Sequence, residues 1–192
     1  MSRPVLLTER VRLEPLTAAH TELLVELDSD PEVLRLIHGR ALSRDEVVGT
    51  YMPRRTAPQA DARGLGFWIG WDRHDPERWF GWWCLIPDAD RRGSAELGYR
   101  LRRTAWGRDL ATEGGRVLVD HAFGTVGLQR VWAETMAVNT ASRAVLRKLG
   151  LNERAIRVDD EKQAIPGWEH GVVSLDLDRS AAGPSRVPDD AQ

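Results

Sequence analysis

The chain opens with an alternating run, Leu6 to Pro15, in which Val11 and Leu13 share one face, and this predicts a first strand. Thr17 then starts a helix carrying Leu23, Leu24 and Leu27, and Asp30-Pro31 restarts a shorter helical stretch through Ile37. Ser43 with Glu46 forms a capping-box pattern ahead of a helix reaching about Arg55. Pro, Ala, Gly and charged residues fill Thr56 to Gly66, which reads as a loop. Two aromatic-rich apolar runs, Phe67 to Trp71 and Trp79 to Ile86, flank the turn signal His74-Asp75-Pro76-Glu77 and predict a hairpin. A polar turn, Pro87 to Gly93, leads to another strand, Ala95 to Leu101.

The period then changes. A helix from about Asp109 to Phe123 places Leu110, Gly114, Val117 and His121 on one stripe, which Leu118 and Ala122 widen. Gly114 and Gly115 together cost about 1–2 kcal/mol of helix propensity relative to Ala, which points to close packing against another element or to a weak helix. Arg130 to Val138 reads as a strand, Thr140 to Leu149 as a helix and Gly171 to Leu177 as a last strand. Hairpins first and strand–helix–strand units later predict one sheet with helices on both faces, an α/β (α+β) arrangement. One domain is expected over residues 1–178. The tail 179–192 is small, polar and Pro-containing, and is expected to be disordered.

Composition narrows the classes. A chain of 192 residues suffices for one substantial core. A formal net charge of -2 argues against a general nucleic-acid binder. No apolar run approaches the roughly 20 residues that span a bilayer, and the N-terminus lacks a signal-peptide core. Cys84 is the only cysteine, so no intramolecular disulfide forms, and a reducing, cytoplasmic setting is expected. The five histidines show no metal-ligand spacing, so no metal is expected. Eight Trp against three Phe and two Tyr predict Trp filling the core, with some walling a pocket; exposed Trp side chains would suit a homodimer interface.

Two segments carry chemistry. Arg103 to Glu113, RTAWGRDLATE, joins a strand to a helix through a Gly-centred turn. The first N–H groups of a helix lack intrahelical partners and lie at the positive end of its dipole, so this turn suits an anion. Gly107, Arg108, Leu110, Ala111 and Thr112 offer backbone amides, and Arg102, Arg103 and Arg108 add charge nearby. Downstream, Asn139 is placed to cap a second helix that Gly150 ends. Two helix starts can grip one elongated, phosphate-bearing ligand.

WGRDLATE, the preceding SAELGYRL, HAFGTVGLQRVWAE and NTASRAVLRKLG resemble the GNAT family of acyl-CoA-dependent N-acyltransferases, in particular its ribosomal-protein-alanine N-acetyltransferase branch. The resemblance runs from about Leu7 to about Leu177. It implies a mixed central sheet of about seven strands that splays open in the middle, with acetyl-CoA in the gap as acyl donor. Backbone groups around Tyr99, Leu101 and Arg102 would pair with the pantetheine amides, and one N–H there would hold the oxyanion. The family's pyrophosphate turn follows Gln/Arg-x-x-Gly-x-Gly/Ala; here Thr104, Gly107 and Asp109 stand at those positions, two of them departures. Glu134, five residues before Asn139, resembles a general base of that branch, and Glu96 on the preceding strand is its rival. Many members offer a Tyr seven residues after the Asn; here that residue is Leu146. Ser142 resembles the serine that supports the departing thiolate, and Asn139 would contact pantetheine.

The activity so implied is direct acetyl transfer to a primary amine, either a protein N-terminus or a small molecule. The other class is a non-catalytic acyl-CoA or small-ligand binding protein, favoured by Asp109 and Leu146.

Overall fold

The structure is a computed structural model that describes residues 3–61, 63–159 and 162–182. Eight strands form one sheet: β1 (Leu6–Leu7), β2 (Val11–Pro15), β3 (Gly66–Asp72), β4 (Trp79–Pro87), β5 (Ser94–Leu101), β6 (Arg130–Met136), β7 (Asn152–Arg157) and β8 (Val172–Asp178). Their order is β1-β2-β3-β4-β5-β6-β8-β7, antiparallel except for β5 beside β6. The helices are α1 (Thr21–Asp28), α2 (Pro31–Leu34), α3 (Arg44–Glu46), α4 (Met52–Arg55), α5 (Pro58–Asp61), α6 (Leu110–Asp120) and α7 (Thr140–Lys148). A π turn, Val47–Tyr51, joins α3 to α4, and another, His121–Thr125, extends α6.

The uninterrupted apolar run of β4 follows from coverage on both faces. Phe80, Trp83 and Leu85 pack under α6 and α7 with Leu110, Leu118, Leu146 and Leu149. Trp79, Trp82 and Cys84 face the other way, toward Leu24 and Leu27 of α1 and Val47 and Met52 beyond α3. A register shift at Gly70/Trp71 against β4 keeps aromatic residues on both sides. Trp68 and Trp83 are wholly buried, as expected of core Trp.

Gly114 sits where α6 crosses Trp83: a Cβ there would lie 2.6 Å from the indole. Gly115 is as tight against Leu149, at 2.7 Å. The glycine pair thus marks close packing and not a weak helix. The Trp83 indole N–H also donates to the Ala111 carbonyl at 3.2 Å, and Glu113 accepts from Thr8 Oγ1, Arg10 N and Arg10 Nε. These contacts fix where α6 begins.

Two expectations need adjustment. The sheet has eight strands against about seven expected: the first run breaks at residues 8–10, and β7 adds an edge strand. Residues of β7 are exposed throughout, so no alternation marks the strand; it is held by pairing with β8 and by ion pairs such as Arg154–Asp176 at 2.6 Å. The loop Thr56 to Gly66 contains α5 and the first residue of β3. The tail from residue 183 on lies outside the described residues. Among them, no helix is long and apolar enough to cross a membrane.

Candidate active site

β5 and β6 are paired over only three residues, Ser94, Ala95 and Glu96 against Arg130, Val131 and Trp132. Beyond Glu96 they part, and the gap widens into a cavity of about 790 Å³. Its walls are β5 from Glu96 to Leu101, β6 from Ala133 to Met136, and the starts of α6 and α7.

The ladder decides which backbone groups face this gap. Arg102 N–H donates to the Phe80 carbonyl at 2.8 Å. Antiparallel pairing alternates, so Arg100, Gly98 and Glu96 also turn their backbone groups toward β4. The N–H and C=O groups of Leu97, Tyr99 and Leu101 therefore point toward the gap. The Leu101 carbonyl is already taken by the Trp106 indole N–H, at 2.9 Å.

Side chains alternate the other way. Tyr99 leans toward α7, where its hydroxyl lies 3.1 Å from Ser142 Oγ. Burial pushes the Tyr99 hydroxyl up to about 12, against the opposing hydrogen bond with Ser142. Glu96 and Arg100 lie on the opposite face, flanking Gly98. A Cβ at Gly98 would meet Cys84 Sγ at 2.9 Å, so the floor between the two charged residues stays bare. Burial, reinforced by the neighbouring Glu134 carboxylate, raises the pKa of Glu96. Among the described residues no ion pair holds Glu96. Glu134, by contrast, takes both its oxygens to Arg157 Nη2, at 3.0 and 2.8 Å.

At the other end of the cavity the first intrahelical bond of α6 runs from Glu113 N–H to Asp109 C=O. The N–H groups of Leu110, Ala111 and Thr112 are thus left without intrahelical partners. Gly107 has φ 69° and Asp109 φ 62°; Asp109 is the one non-glycine among the described residues in the left-handed region. That conformation explains why a glycine suits this position. The Asp109 carboxylate accepts from Lys148 Nζ at 2.9 Å and Thr112 Oγ1 at 2.8 Å, and these bonds, Lys148 first, hold its pKa low. At the start of α7, Asn139 Oδ1 accepts from Ser142 N–H at 3.1 Å, the expected cap.

The acetyltransferase (GNAT) domain family matches residues 10–152. The chain belongs to the GNAT family. It is 33% identical over 186 residues to an FsC-acetyl coenzyme A-N(2)-transacetylase of Aspergillus fumigatus, covering 93% of this chain and 77% of that one. The fold is shared with spermidine N-acetyltransferase of Vibrio cholerae, solved with CoA and spermine (TM-score 0.75, 16% identity, 91% and 98% of the two chains). It is shared also with RimL, a ribosomal L7/L12 alpha-N-protein acetyltransferase solved with CoA (TM-score 0.74, 16% identity, 95% and 100%). The protein is a GNAT-type acyl-CoA-dependent N-acyltransferase, and its splayed sheet is that of its relatives.

Seven of the residues singled out in this GNAT sequence for cofactor binding line the cavity: Tyr99, Leu101, Gly107, Leu110, Ala111, Asn139 and Ser142. Both candidate bases, Glu96 and Glu134, line it too. The arginine side chains expected at the anion cradle are engaged elsewhere. Arg102 pairs with Glu26 at 2.6 Å, Arg103 pairs with Asp30 at 2.8 Å, and Arg108 stacks over Phe80 at 5.6 Å. Thr112 turns its hydroxyl to Asp109. The cation that does line the cradle is Lys148, 39 residues from its partner Asp109, a separation that no local pattern reveals. Among the described residues the aromatic lining is Trp82, Tyr99 and Trp106.

Proposed function

We propose that the protein transfers an acetyl group from acetyl-CoA directly to a primary amine, with Glu96 as the base. The observation that carries this reading is the cavity between β5 and β6: open strand edges on one wall, two helix starts at one end, and an unpaired carboxylate of raised pKa on its floor. The unpartnered amides of α6 suit the pyrophosphate. The edge groups of Tyr99 and Leu101 suit the peptide-like pantetheine. A gap-facing N–H of Leu97 or Tyr99 suits the oxyanion. Glu96, directly or through water, takes the proton that the attacking amine must lose. Glu134 has both its oxygens taken by Arg157 and is less free to accept the amine proton, and its charge helps to hold the pKa of Glu96 up. Ser142 faces the departing thiolate.

The acceptor is a small-molecule amine or a protein N-terminus. The relatives support both: their names specify an FsC N(2) position, spermidine, and an L7/L12 N-terminus. A cytoplasmic setting, where a lone buried thiol stays reduced, belongs to the same reading.

The test is release of free thiol from acetyl-CoA with spermidine, amino-acid amides and a peptide with a free N-terminus as acceptors, beside calorimetric titration of acetyl-CoA. Thiol release that depends on one acceptor class supports the proposal. Micromolar binding without turnover over the whole set would favour the non-catalytic binding protein.

The cradle makes a second prediction. Asp109→Gly removes one negative charge beside the pyrophosphate, releases Lys148 toward it and relieves the left-handed strain. CoA affinity is expected to rise about fivefold, since one unit charge a few ångströms away is worth about 1 kcal/mol at solvent-like dielectric. The gain should shrink at high salt. Calorimetry at two ionic strengths reads both; an unchanged affinity at low salt would show that the carboxylate does not sense the phosphates.

A further inference from the structure

We propose that Tyr99 is a positioning residue for catalysis: its hydroxyl fixes Ser142 as the hydrogen-bond donor to the departing thiolate. This deepens the acetyltransferase reading and rests on it.

The two hydroxyls come from elements 43 residues apart and meet at 3.1 Å on the cavity wall. Two other interactions fix Ser142. Its N–H is given to Asn139 Oδ1, which sets the helix start. Its carbonyl lies 3.5 Å from the same Tyr99 hydroxyl, a longer and weaker acceptor that competes with Ser142 Oγ for the one phenolic proton. A serine hydroxyl has one proton and two acceptor sites. If it donated to Tyr99, nothing would be left for the thiolate. A phenol is a far stronger acid than an alkanol, so Tyr99 is the better donor and Ser142 the better acceptor. The chain therefore runs Tyr99 O–H to Ser142 Oγ, and the Ser142 proton is free to turn to a third atom in the cavity.

Burial keeps the phenol protonated well above neutral pH, so it acts as a fixed donor and is not consumed. The step balances without it. The nitrogen lone pair forms the C–N bond, the C–S pair leaves on sulfur, and the amine proton goes to Glu96. The thiolate departs as an anion that accepts the Ser142 hydrogen bond and is protonated by solvent on release. Leu146, seven residues after Asn139, is 1% exposed in the core and offers no hydroxyl. The phenol that this position lacks is supplied from the strand across the gap, one bond removed.

The experiment is a double-mutant cycle in the full chain with Tyr99→Phe and Ser142→Ala, reading kcat and the KM for acetyl-CoA with the best acceptor, beside thermal melts of each variant. Tyr99→Phe is expected to lower kcat about 10- to 50-fold with KM changed less than about twofold. Ser142→Ala should cost at least as much, and the double variant no more than Ser142→Ala alone, because the phenol acts through the serine. Multiplying losses would overturn the proposal by showing that Tyr99 acts independently. A rise in KM at unchanged kcat, or no change at all, would overturn it by reducing Tyr99 to packing. Wild-type protein that transfers acetyl to no acceptor would instead sink the underlying reading.

Discussion

Glu96→Gln is expected to lower kcat/KM at neutral pH by about 10²- to 10³-fold, the range of a lost general base, while Glu134→Gln costs less than about tenfold. A carboxylate accepts a proton only when ionised, so the rate rises with pH as Glu96 titrates. Burial and then the Glu134 charge raise that pKa, so the acidic limb lies above the ordinary glutamate range. Glu134→Gln removes the second cause and should move the limb toward lower pH. Glu96→Gln should abolish the limb.

Stability should move the opposite way. A folded-state pKa above the unfolded one means that the native state binds the proton more tightly. The contribution is present below the unfolded pKa and is lost as pH rises through the folded one. Glu96→Gln should therefore melt higher than wild type at neutral pH. The pH–rate profiles and melts of the three proteins check all of this. A Glu96→Gln protein that keeps a third or more of wild-type activity would move the base elsewhere.

Asp28→Ala is expected to destabilise the fold by about 3–5 kcal/mol, the cost of removing one partner from a buried ion cluster. Asp28 is fully buried between two guanidinium groups that are themselves at 4% and 6% exposure: Arg55 at 2.7 Å, and Arg100 in direct contact. Both cations also stack on Trp82, at 5.3 and 5.1 Å. Without Asp28 two like charges face one indole in a buried site. For a chain of this length the melting temperature should fall by roughly 6–20 °C. Adding Arg100→Met to Asp28→Ala should recover part of the loss, since one uncompensated charge is then gone. A fall below about 3 °C would show that water reaches the cluster.

That cluster was invisible in the sequence, and the reason is physical. Asp28, Arg55 and Arg100 belong to three elements, and nothing local distinguishes a buried arginine from a solvated one. The elements themselves were legible wherever periodicity or caps carry information: Ser43 with Glu46 is the capping box, Asn139 caps α7, and the glycine pair of α6 marks close packing. β7 was not legible, because an edge strand exposed on both faces needs no alternation. The site divides the same way. Backbone features, the turn at Gly107 and the start of α6, follow from sequence. Side-chain partnerships do not: the arginines beside the cradle turned out to serve α1, the segment after it and Phe80, while Lys148 came from a distant helix. The order of Glu134 and Glu96 as candidate bases depended on Arg157, which lies on the strand that could not be read.

The three-residue seam between β5 and β6 also bears on how the protein holds together. Backbone pairing joins β1 to β5 on one side and β6, β8 and β7 on the other, and among the described residues the sheet is tied across by a short stretch, Ser94 to Glu96 with the Gly93 carbonyl just before it. In the function proposed above, a donor lying along the open edge would complete the missing stretch of ladder. On that reading the acyl donor would be a removable structural member, laid across a seam that the protein's own backbone leaves open.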